Sequence, residues 1–326
     1  MHFLIDGVCA AALFRFCSGR ADFAMLLLLY NTLAFSTQCF VGLLTDRLRI
    51  HRNLCAAAGA LTALGWLLPL PALPRVLVIG LGNSLFHVEG GTETLLASGK
   101  KAWPLGVFVA PGAVGLVLGK LRPSLGLGFS VLLLLFSAAE LLCREQPSTV
   151  LSTHRAPERP YPLCGALLLA VAVRAFGGSA ASFPWQTGAL QAVVTALTVC
   201  AGKAFGGLVL DRLGTKASAL LSVIPTAILI TFFQRSMPLS LLGQFLLNLS
   251  MPVTLLLLYR LLPESPGFAF GLAASALWPG TLAGQLLPLR GPFSALCIPV
   301  SFLLGLAAIL LAERRLSRFN RKGAVQ

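Results

Sequence analysis

The sequence is poor in charged residues, and acidic residues are the scarcest of them. Only 11% of its 326 residues are charged and 11 are Asp or Glu, whereas 56% are hydrophobic. Soluble domains typically have about 25% charged and about 45–50% apolar residues. Because so few polar side chains cannot cover a water-exposed surface, this composition excludes an ordinary soluble fold and favours a membrane protein.

The motifs of metal sites and of catalysis are also missing. Eight cysteines are scattered along the chain, and no two have the C-x-x-C spacing typical of zinc sites. Gly80–Gly91 (GLGNSLFHVEGG) shares only its glycine spacing with nucleotide-binding loops, and it lies inside an apolar run. The sequence therefore predicts no metal, no cofactor and no enzymatic activity.

The basic residues indicate loops on one side of a membrane rather than a nucleic-acid surface. The net charge is +14, but the 25 Lys and Arg residues stand singly or in short clusters between apolar runs. In membrane proteins such residues are concentrated in cytoplasmic loops. Their distribution predicts a multi-pass protein of the cell membrane with both termini cytoplasmic and no nucleic-acid partner. We expect the protein to be a monomer.

Twelve apolar runs follow one another along the chain. Crossing a bilayer takes about 20 helical residues at about 1.5 Å each, and each run approaches or exceeds that length. The predicted spans cover residues 2–18, 22–44, 54–70, 75–97, 103–119, 124–143, 161–181, 187–210, 216–233, 238–259, 266–287 and 292–312.

This arrangement predicts an all-α membrane protein built from two six-helix bundles. Its one long connection is the Pro-, Ser- and Thr-containing segment 144–160, which we interpret as a cytoplasmic linker. Residues 1–143 then form the N-terminal bundle, residues 161–312 the C-terminal bundle, and residues 313–326 a basic cytoplasmic tail.

The same loop motif occurs once in each half. After span two the sequence has Gly42, three residues, then Asp46-Arg47-Leu; after span eight it has Gly207, three residues, then Asp211-Arg212-Leu, with Gly214 following. A single Asp-Arg pair in a loop would mean little, but a repeat at equivalent positions is unexpected by chance. Glycine permits close helix packing, the Asp can cap a helix N-terminus, and the Arg can pair across an interface.

On this motif the sequence resembles the major facilitator superfamily. Within it, the closest resemblance is to fosmidomycin-resistance-type efflux proteins, carried by His2–Asp6 (HFLID), Gly80–Gly91 and Phe108–Gly119 (FVAPGAVGLVLG). The resemblance implies a major facilitator fold and proton-driven export of a small molecule. The chain departs from the family at Val88, where a proline is usual, and at Val109 and Ala113, where polar residues are usual.

Four ionisable residues inside spans are candidates for proton coupling or substrate binding. His87 and Glu89 lie near the middle of span four, Asp6 lies in span one and Arg174 in span seven. Ionisable groups at this depth are costly and commonly functional. A buried histidine alone is more often a hydrogen-bonded core residue, but with both acids we predict an Asp6–His87–Glu89 protonatable cluster. For Arg174, an anion-binding role and a structural role are equally favoured.

Span five combines Pro111 with Gly112, Gly115 and Gly119. Small residues permit close helix packing and proline loosens a helix, so this span is predicted to be a hinge or a packing seam. The signal is weak alone, because Gly and Pro are common in membrane helices.

Three functions remain open from the sequence. The first is secondary active transport, by proton-coupled export of a drug-like or metabolite molecule, with gating by the two loop motifs. The second is uptake of a small organic anion bound by Arg174. The third is a membrane scaffold or sensor that transports nothing.

Overall fold

The computed structural model describes residues 1–48, 53–99, 101–142, 160–287, 289 and 291–323. Within these ranges the chain is helical apart from short turns, and no strand occurs. Nearly all of the predicted linker, residues 144–160, lies outside the described residues. The domain boundary therefore stays a prediction.

The first half contains six membrane crossings. Its helices are α1 (His2–Phe16), α2 (Phe23–Asn31), α3 (Gln38–Leu48), α4 (Leu54–Leu67), α5 (Ala72–Ser98), α6 (Trp103–Val109), α7 (Gly112–Leu121) and α8 (Gly126–Leu142). The second crossing consists of α2 and α3, joined by a π-helical turn at Thr32–Ser36. The fifth consists of α6 and α7, interrupted at Ala110 and Pro111.

The second half also contains six crossings. Its helices are α9 (Tyr161–Ala180), α10 (Ala189–Phe232), α11 (Met237–Leu249), α12 (Met251–Leu261), α13 (Pro266–Leu286) and α14 (Gly291–Gly323). The 44-residue α10 holds the predicted spans eight and nine, which are separated by a non-helical residue, Gly214, with φ of 75°. A positive φ at this place requires glycine, because other residues are strained there.

The outer faces of these helices are apolar. Seven helical segments among the described residues are long and apolar enough to cross a membrane by length and composition, whereas α1 and α4 are shorter. Large hydrophobic side chains are exposed on the outside, such as Phe40 at 72%, Leu142 at 82% and Phe232 at 64%. Such surfaces are stable against lipid but not against water.

The predicted spans agree with the helices to within a few residues at most ends. The largest difference is at the C-terminus, where α14 continues to Gly323 instead of ending at residue 312. The first part of the predicted tail is therefore helical. Charged residues do not stop a helix once it leaves the bilayer, so hydropathy marks only where the apolar run ends.

One buried arginine holds the first bundle together on the side opposite the loop motifs. Arg75 is only 4% exposed and lies over the ring of Phe16, 3.9 Å from its centroid. Its guanidinium donates hydrogen bonds to four backbone carbonyls at and just beyond the C-terminal end of α4, those of Gly65, Trp66, Leu68 and Leu70. It therefore satisfies the carbonyls that every helix C-terminus leaves without an intrahelical partner.

We expect Arg75→Met to destabilise the protein by about 2 kcal/mol or more, because several buried carbonyls would lose a charged donor. The matched control is Arg122→Met at an exposed arginine, which we expect to change stability by less than about 0.5 kcal/mol. Thermal unfolding of both variants in detergent measures the difference. Equal melting temperatures would show that Arg75 does not act as a structural cap.

Candidate functional site

The first loop motif binds the second half of the protein. Gly42 and Asp46 lie one turn apart and therefore on the same face of α3. The Asp46 carboxylate accepts hydrogen bonds from the backbone N–H groups of Gly267 at 3.1 Å and Phe268 at 2.8 Å. These are in the first turn of α13, whose own N-cap residue, Ser265, makes no side-chain capping bond.

The second motif binds the first half in the same way. The Asp211 carboxylate accepts hydrogen bonds from the backbone N–H groups of Ala102 at 2.6 Å and Trp103 at 2.9 Å. These residues begin α6, whose N-cap residue, Ala102, has no side chain that could cap it. Each half therefore supplies the carboxylate that caps a helix of the other half.

The motif glycines make these caps possible. A Cβ atom on Gly42 would collide with the backbone carbonyl of Gly267, and one on Gly207 would collide with the backbone of Ala102 and Trp103. The absence of a side chain lets the partner helix come close enough for the Asp one turn later to reach its N–H groups.

The motif arginines, Arg47 and Arg212, are exposed. The capping expected of the Asp residues is thus present, whereas the structure places the Arg side chains at the surface. Among the described residues, the two Asp carboxylates accept hydrogen bonds from the opposite half here. We call the side of the membrane where these caps lie the motif side.

A buried polar cluster lies further into the membrane, between α1 and α5. The Nε2 atoms of His2 and His87 are 2.8 Å apart. The Asp6 carboxylate lies beside them, with Oδ2 3.4 Å from His2 Nε2 and Oδ1 3.8 Å from His87 Nε2. The structure therefore brings together Asp6 and His87 as expected, and adds His2 as a third member.

Each member of this His2–Asp6–His87 cluster is held by a further hydrogen bond. Asn83 Nδ2 donates to Asp6 Oδ1 at 2.8 Å. The Nδ1 atom of His87 lies 2.9 Å from the carbonyl oxygen of Asn83, and the Nδ1 atom of His2 lies 2.5 Å from the carbonyl oxygen of Phe108. These bonds fix the orientation of both imidazole rings.

Glu89 is not arranged as the sequence analysis expected. Side chains two residues apart on a helix leave it in nearly opposite directions, so Glu89 and His87 lie on different faces of α5. Glu89 is fully buried, and its carboxyl interacts electrostatically with Cys55 of α4. The predicted three-residue cluster is therefore replaced by one that contains His2 in place of Glu89.

The glycines of span five lie where α7 packs closely against α1. A Cβ atom on Gly112 would collide with Asp6 and His2, one on Gly115 with the carbonyl of Phe3, and one on Gly119 with the carbonyl of Gly7. α7 therefore packs directly on α1 and closes one side of the polar cluster. Pro111 lies at the break between α6 and α7.

Arg174 lies at a small cavity in the second half. The cavity has a volume of about 30 Å³, enough for about two water molecules, and its other lining is mainly apolar, including Phe270 and Leu277. The Arg174 guanidinium donates to Ser250 Oγ at 3.1 Å. Among the described residues, no carboxylate lies within ion-pair distance of it.

Two aromatic rings lie between this cavity and the polar cluster. Phe270 lines the cavity and packs edge-on against Phe108 at 6.0 Å between ring centroids. Phe108 in turn lies 5.1 Å from the ring of His2. Since Phe270 belongs to the second half and Phe108 to the first, these rings separate the two polar regions at the boundary between the halves.

Sequence reasoning missed three participants, namely His2, Asn83 and Lys203. His2 and Asn83 occur in segments that carried the family resemblance, but no spacing rule links positions so far apart. Lys203 faces the interior, where it interacts electrostatically with both Asp6 and Arg174. Only the packing of α10 against the first half shows this orientation.

Two groups of side chains have atoms close enough together to reach one metal ion. They are His2, Asp6 and His87, and Cys55, Glu93 and Glu140, with the atoms of each group within 4.8 Å of one another. The first group is the His2–Asp6–His87 cluster described above. The second group includes an exposed carboxylate, an arrangement that is common where no ion binds.

Two six-helix halves that cap each other's helices have the major facilitator fold. The predicted fold class is thereby confirmed. No protein-family profile and no curated protein matches the sequence.

Solved transporter structures are similar to the whole chain. The E. coli fucose:proton symporter FucP matches with a TM-score of 0.68 and 10% identity, covering 95% of this chain and 96% of its own. A structure of the transporter FucP in the outward conformation matches with a TM-score of 0.71 and 12% identity, covering 95% and 97%. The human organic anion transporter MFSD10 matches with a TM-score of 0.59 and 15% identity, covering 95% of this chain and 97% of its own. A bacterial homologue of the iron transporter ferroportin, in an outward-facing state, matches with 0.58 and 17%, covering 98% and 97%. At these identities the likeness shows the fold alone.

We expect Asp46→Asn to loosen the contact between the halves on the motif side, because an amide provides one acceptor oxygen and no charge for the α13 N-terminus. Thr92 is fully buried next to Gly267. A cysteine introduced at this position, in a variant without native cysteines, becomes accessible to a maleimide when this side opens. A lost cap is worth about 1 kcal/mol, so maleimide labelling should become roughly fivefold faster.

The matched control is Asp22→Asn, an exposed acid on the opposite side that pairs with Arg20 at 2.8 Å. We expect it to leave the labelling rate unchanged. An unchanged rate in Asp46→Asn would show that the cap does not hold the halves together.

Proposed function

We propose that the protein is a secondary active transporter that exports a small drug-like or metabolite molecule in exchange for protons. The observation that carries this proposal is the reciprocal capping of α13 by Asp46 and of α6 by Asp211. Four hydrogen bonds at helix ends can close one side of a cavity and can break without unfolding either half. A gate for alternating access needs contacts that close the cavity and that can also break while each half stays folded.

The His2–Asp6–His87 cluster supports coupling to protons. It lies inside the membrane, it contains two imidazoles and a carboxylate, and it touches Phe108 beside the second half. Imidazole exchanges protons near neutral pH, so a cluster of this kind can change charge under physiological conditions. Glu89, buried on another face of α5, is a second candidate group on the proton route.

The proposed orientation places the motif side in the cytoplasm, in keeping with the Lys and Arg residues of the loops. The capped arrangement is then a state closed to the cytoplasm. Export would require the Asp46 and Asp211 caps to break so that the substrate can enter, and to form again before its release. The likeness to fosmidomycin-resistance-type exporters in Gly80–Gly91 and Phe108–Gly119 supports this direction.

A second candidate is transport of an organic anion. Arg174 is a cation beside an internal cavity. The hydrogen-bond partner observed for its guanidinium is a neutral hydroxyl, that of Ser250. Lys203 adds a second positive charge nearby. A carboxylate or phosphonate group of a substrate would provide the counter-charge that the described residues do not provide within ion-pair distance.

Proton movement in proteoliposomes tests the first candidate. A pH-sensitive dye inside the vesicles should report a substrate-dependent change when antibiotics, phosphonates or organic acids are added. We expect Asp6→Asn and Glu89→Gln to lower this signal at least tenfold, because both remove a titratable carboxyl, and Asp22→Asn to retain it.

Wild-type proton flux in Asp6→Asn would exclude the cluster from coupling, and wild-type flux in Glu89→Gln would remove that residue from the proton route. If no compound in the panel causes proton movement through the folded protein, the scaffold or sensor function would be favoured instead.

The organic-anion candidate makes a separate prediction for Arg174→Gln. Loss of a charge-assisted hydrogen bond costs about 1.5–3 kcal/mol, so binding of anionic substrates should weaken roughly tenfold to hundredfold while binding of neutral compounds changes little. Arg122→Gln, at an exposed arginine, is the control. Equal losses for anionic and neutral compounds in Arg174→Gln would contradict an anion site.

A further inference from the structure

The protonation of the two imidazole rings follows from their backbone contacts. A backbone carbonyl can only accept a hydrogen bond. Because His2 Nδ1 contacts the carbonyl of Phe108 and His87 Nδ1 contacts the carbonyl of Asn83, both Nδ1 atoms must carry a hydrogen. In two neutral rings, both Nε2 atoms would then be unprotonated acceptors.

The two Nε2 atoms nevertheless lie 2.8 Å apart, at hydrogen-bond distance. Two nitrogen lone pairs repel at this distance unless a hydrogen lies between them. Neither ring can supply that hydrogen from Nδ1 without losing its bond to a backbone carbonyl. The contact therefore requires one proton more than two neutral histidines carry.

We infer that His2 and His87 share one extra proton between their Nε2 atoms, and that this shared proton is the one the transporter exchanges. His2 thus becomes a proton-coupling residue together with His87, a role that deepens the proposed function and rests on it. The pair carries one positive charge, and the Asp6 carboxylate, 3.4 and 3.8 Å away, balances it. When the proton leaves to water, no other covalent bond breaks, and the net charge of the cluster falls from zero to minus one.

The other groups around the pair fit this charge balance. Cys9 and Asn83 lie next to Asp6, and Tyr30 of α2 approaches Cys9. Lys203 of α10 faces the cluster from the second half and interacts with Asp6. A cluster that has lost its proton attracts Lys203 more strongly, so the electrostatic attraction between the halves depends on the shared proton.

Loss of the proton also has a mechanical consequence. Without it the two Nε2 lone pairs repel, and one ring must turn away from its backbone carbonyl. For His2 that carbonyl belongs to Phe108 in α6, and α6 begins at the N–H groups that Asp211 caps. Movement of His2 is therefore transmitted along α6 to the cap on the motif side.

The protonation of each ring nitrogen can be measured directly in the full-length protein. The sequence has only four histidines, so ¹⁵N-histidine labelling gives few signals, and the double variant His51→Gln with His154→Gln leaves those of His2 and His87. We expect two protonated Nδ1 atoms and a single proton shared by the two Nε2 atoms at neutral pH. A histidine-free purification tag keeps the spectrum unambiguous.

An unprotonated Nδ1 in either ring would overturn the inference, because the pair would then be neutral. Signals that change when a metal chelator is added would also overturn it, in favour of a metal ion between the rings. Neither measurement depends on transport, so a shared proton in a protein that transports nothing would reject the proposed function while leaving the protonation assignment intact.

Coupling itself is tested with His2→Gln. A glutamine amide can donate to His87 Nε2 and so preserve the hydrogen bond, but it cannot carry the extra proton. We expect substrate binding to remain and protons moved per substrate to fall at least tenfold, with His51→Gln as the control. Wild-type proton stoichiometry in His2→Gln would show that His2 only positions His87.

Discussion

The contact on which the arrangement of the two halves depends is a carboxylate at the N-terminus of a helix in the opposite half. The first N–H groups of any helix lack intrahelical acceptors, and the helix dipole favours negative charge there. α13 and α6 have no capping side chain of their own, so Asp46 and Asp211 provide it from across the interface. The N-terminal N–H groups of α13 and α6 reach these carboxylates only when the two halves are in contact.

This arrangement explains why glycine and aspartate occur together in the motif. Their spacing places them on one helix face, where the glycine sets how near the partner backbone can come and the aspartate uses that nearness. The bonds are polar and few, and the apolar surface buried within each half does not depend on them. Separation of the halves on this side breaks these few hydrogen bonds, each worth about 1 kcal/mol, in addition to apolar contacts between the halves such as Phe108 against Phe270.

The polar cluster differs from these caps, because His2 is buried and Asp6 and His87 are largely buried. Asp6, His2 and His87 lie among apolar residues, and their hydrogen bonds to Asn83 and Phe108 reduce the cost of burial. A network of this kind is sensitive to a single proton, since removing one leaves two lone pairs facing each other. Because the carbonyl of Phe108 belongs to α6, the same helix connects the enclosed cluster with the separable cap.

The sequence by itself determined the membrane character, the twelve crossings and the motif repeat. Hydrophobic runs of fixed length are imposed by bilayer thickness, and each is visible within one short segment. Helix ends were less certain, as α14 and the continuous α10 show, because charge and glycine do not always end a helix. Asp6 and His87 were recognised because ionisable residues inside apolar runs are conspicuous.

Only the tertiary structure decided which of these residues meet. It replaced Glu89 with His2 in the cluster, since the face that α5 turns toward α1 depends on helix packing and not on residue type. It turned Lys203 inward, and it assigned to each Asp a partner helix far away in sequence. Such contacts depend on the packing of helices distant in the chain, for which a hydrophobic pattern contains no information.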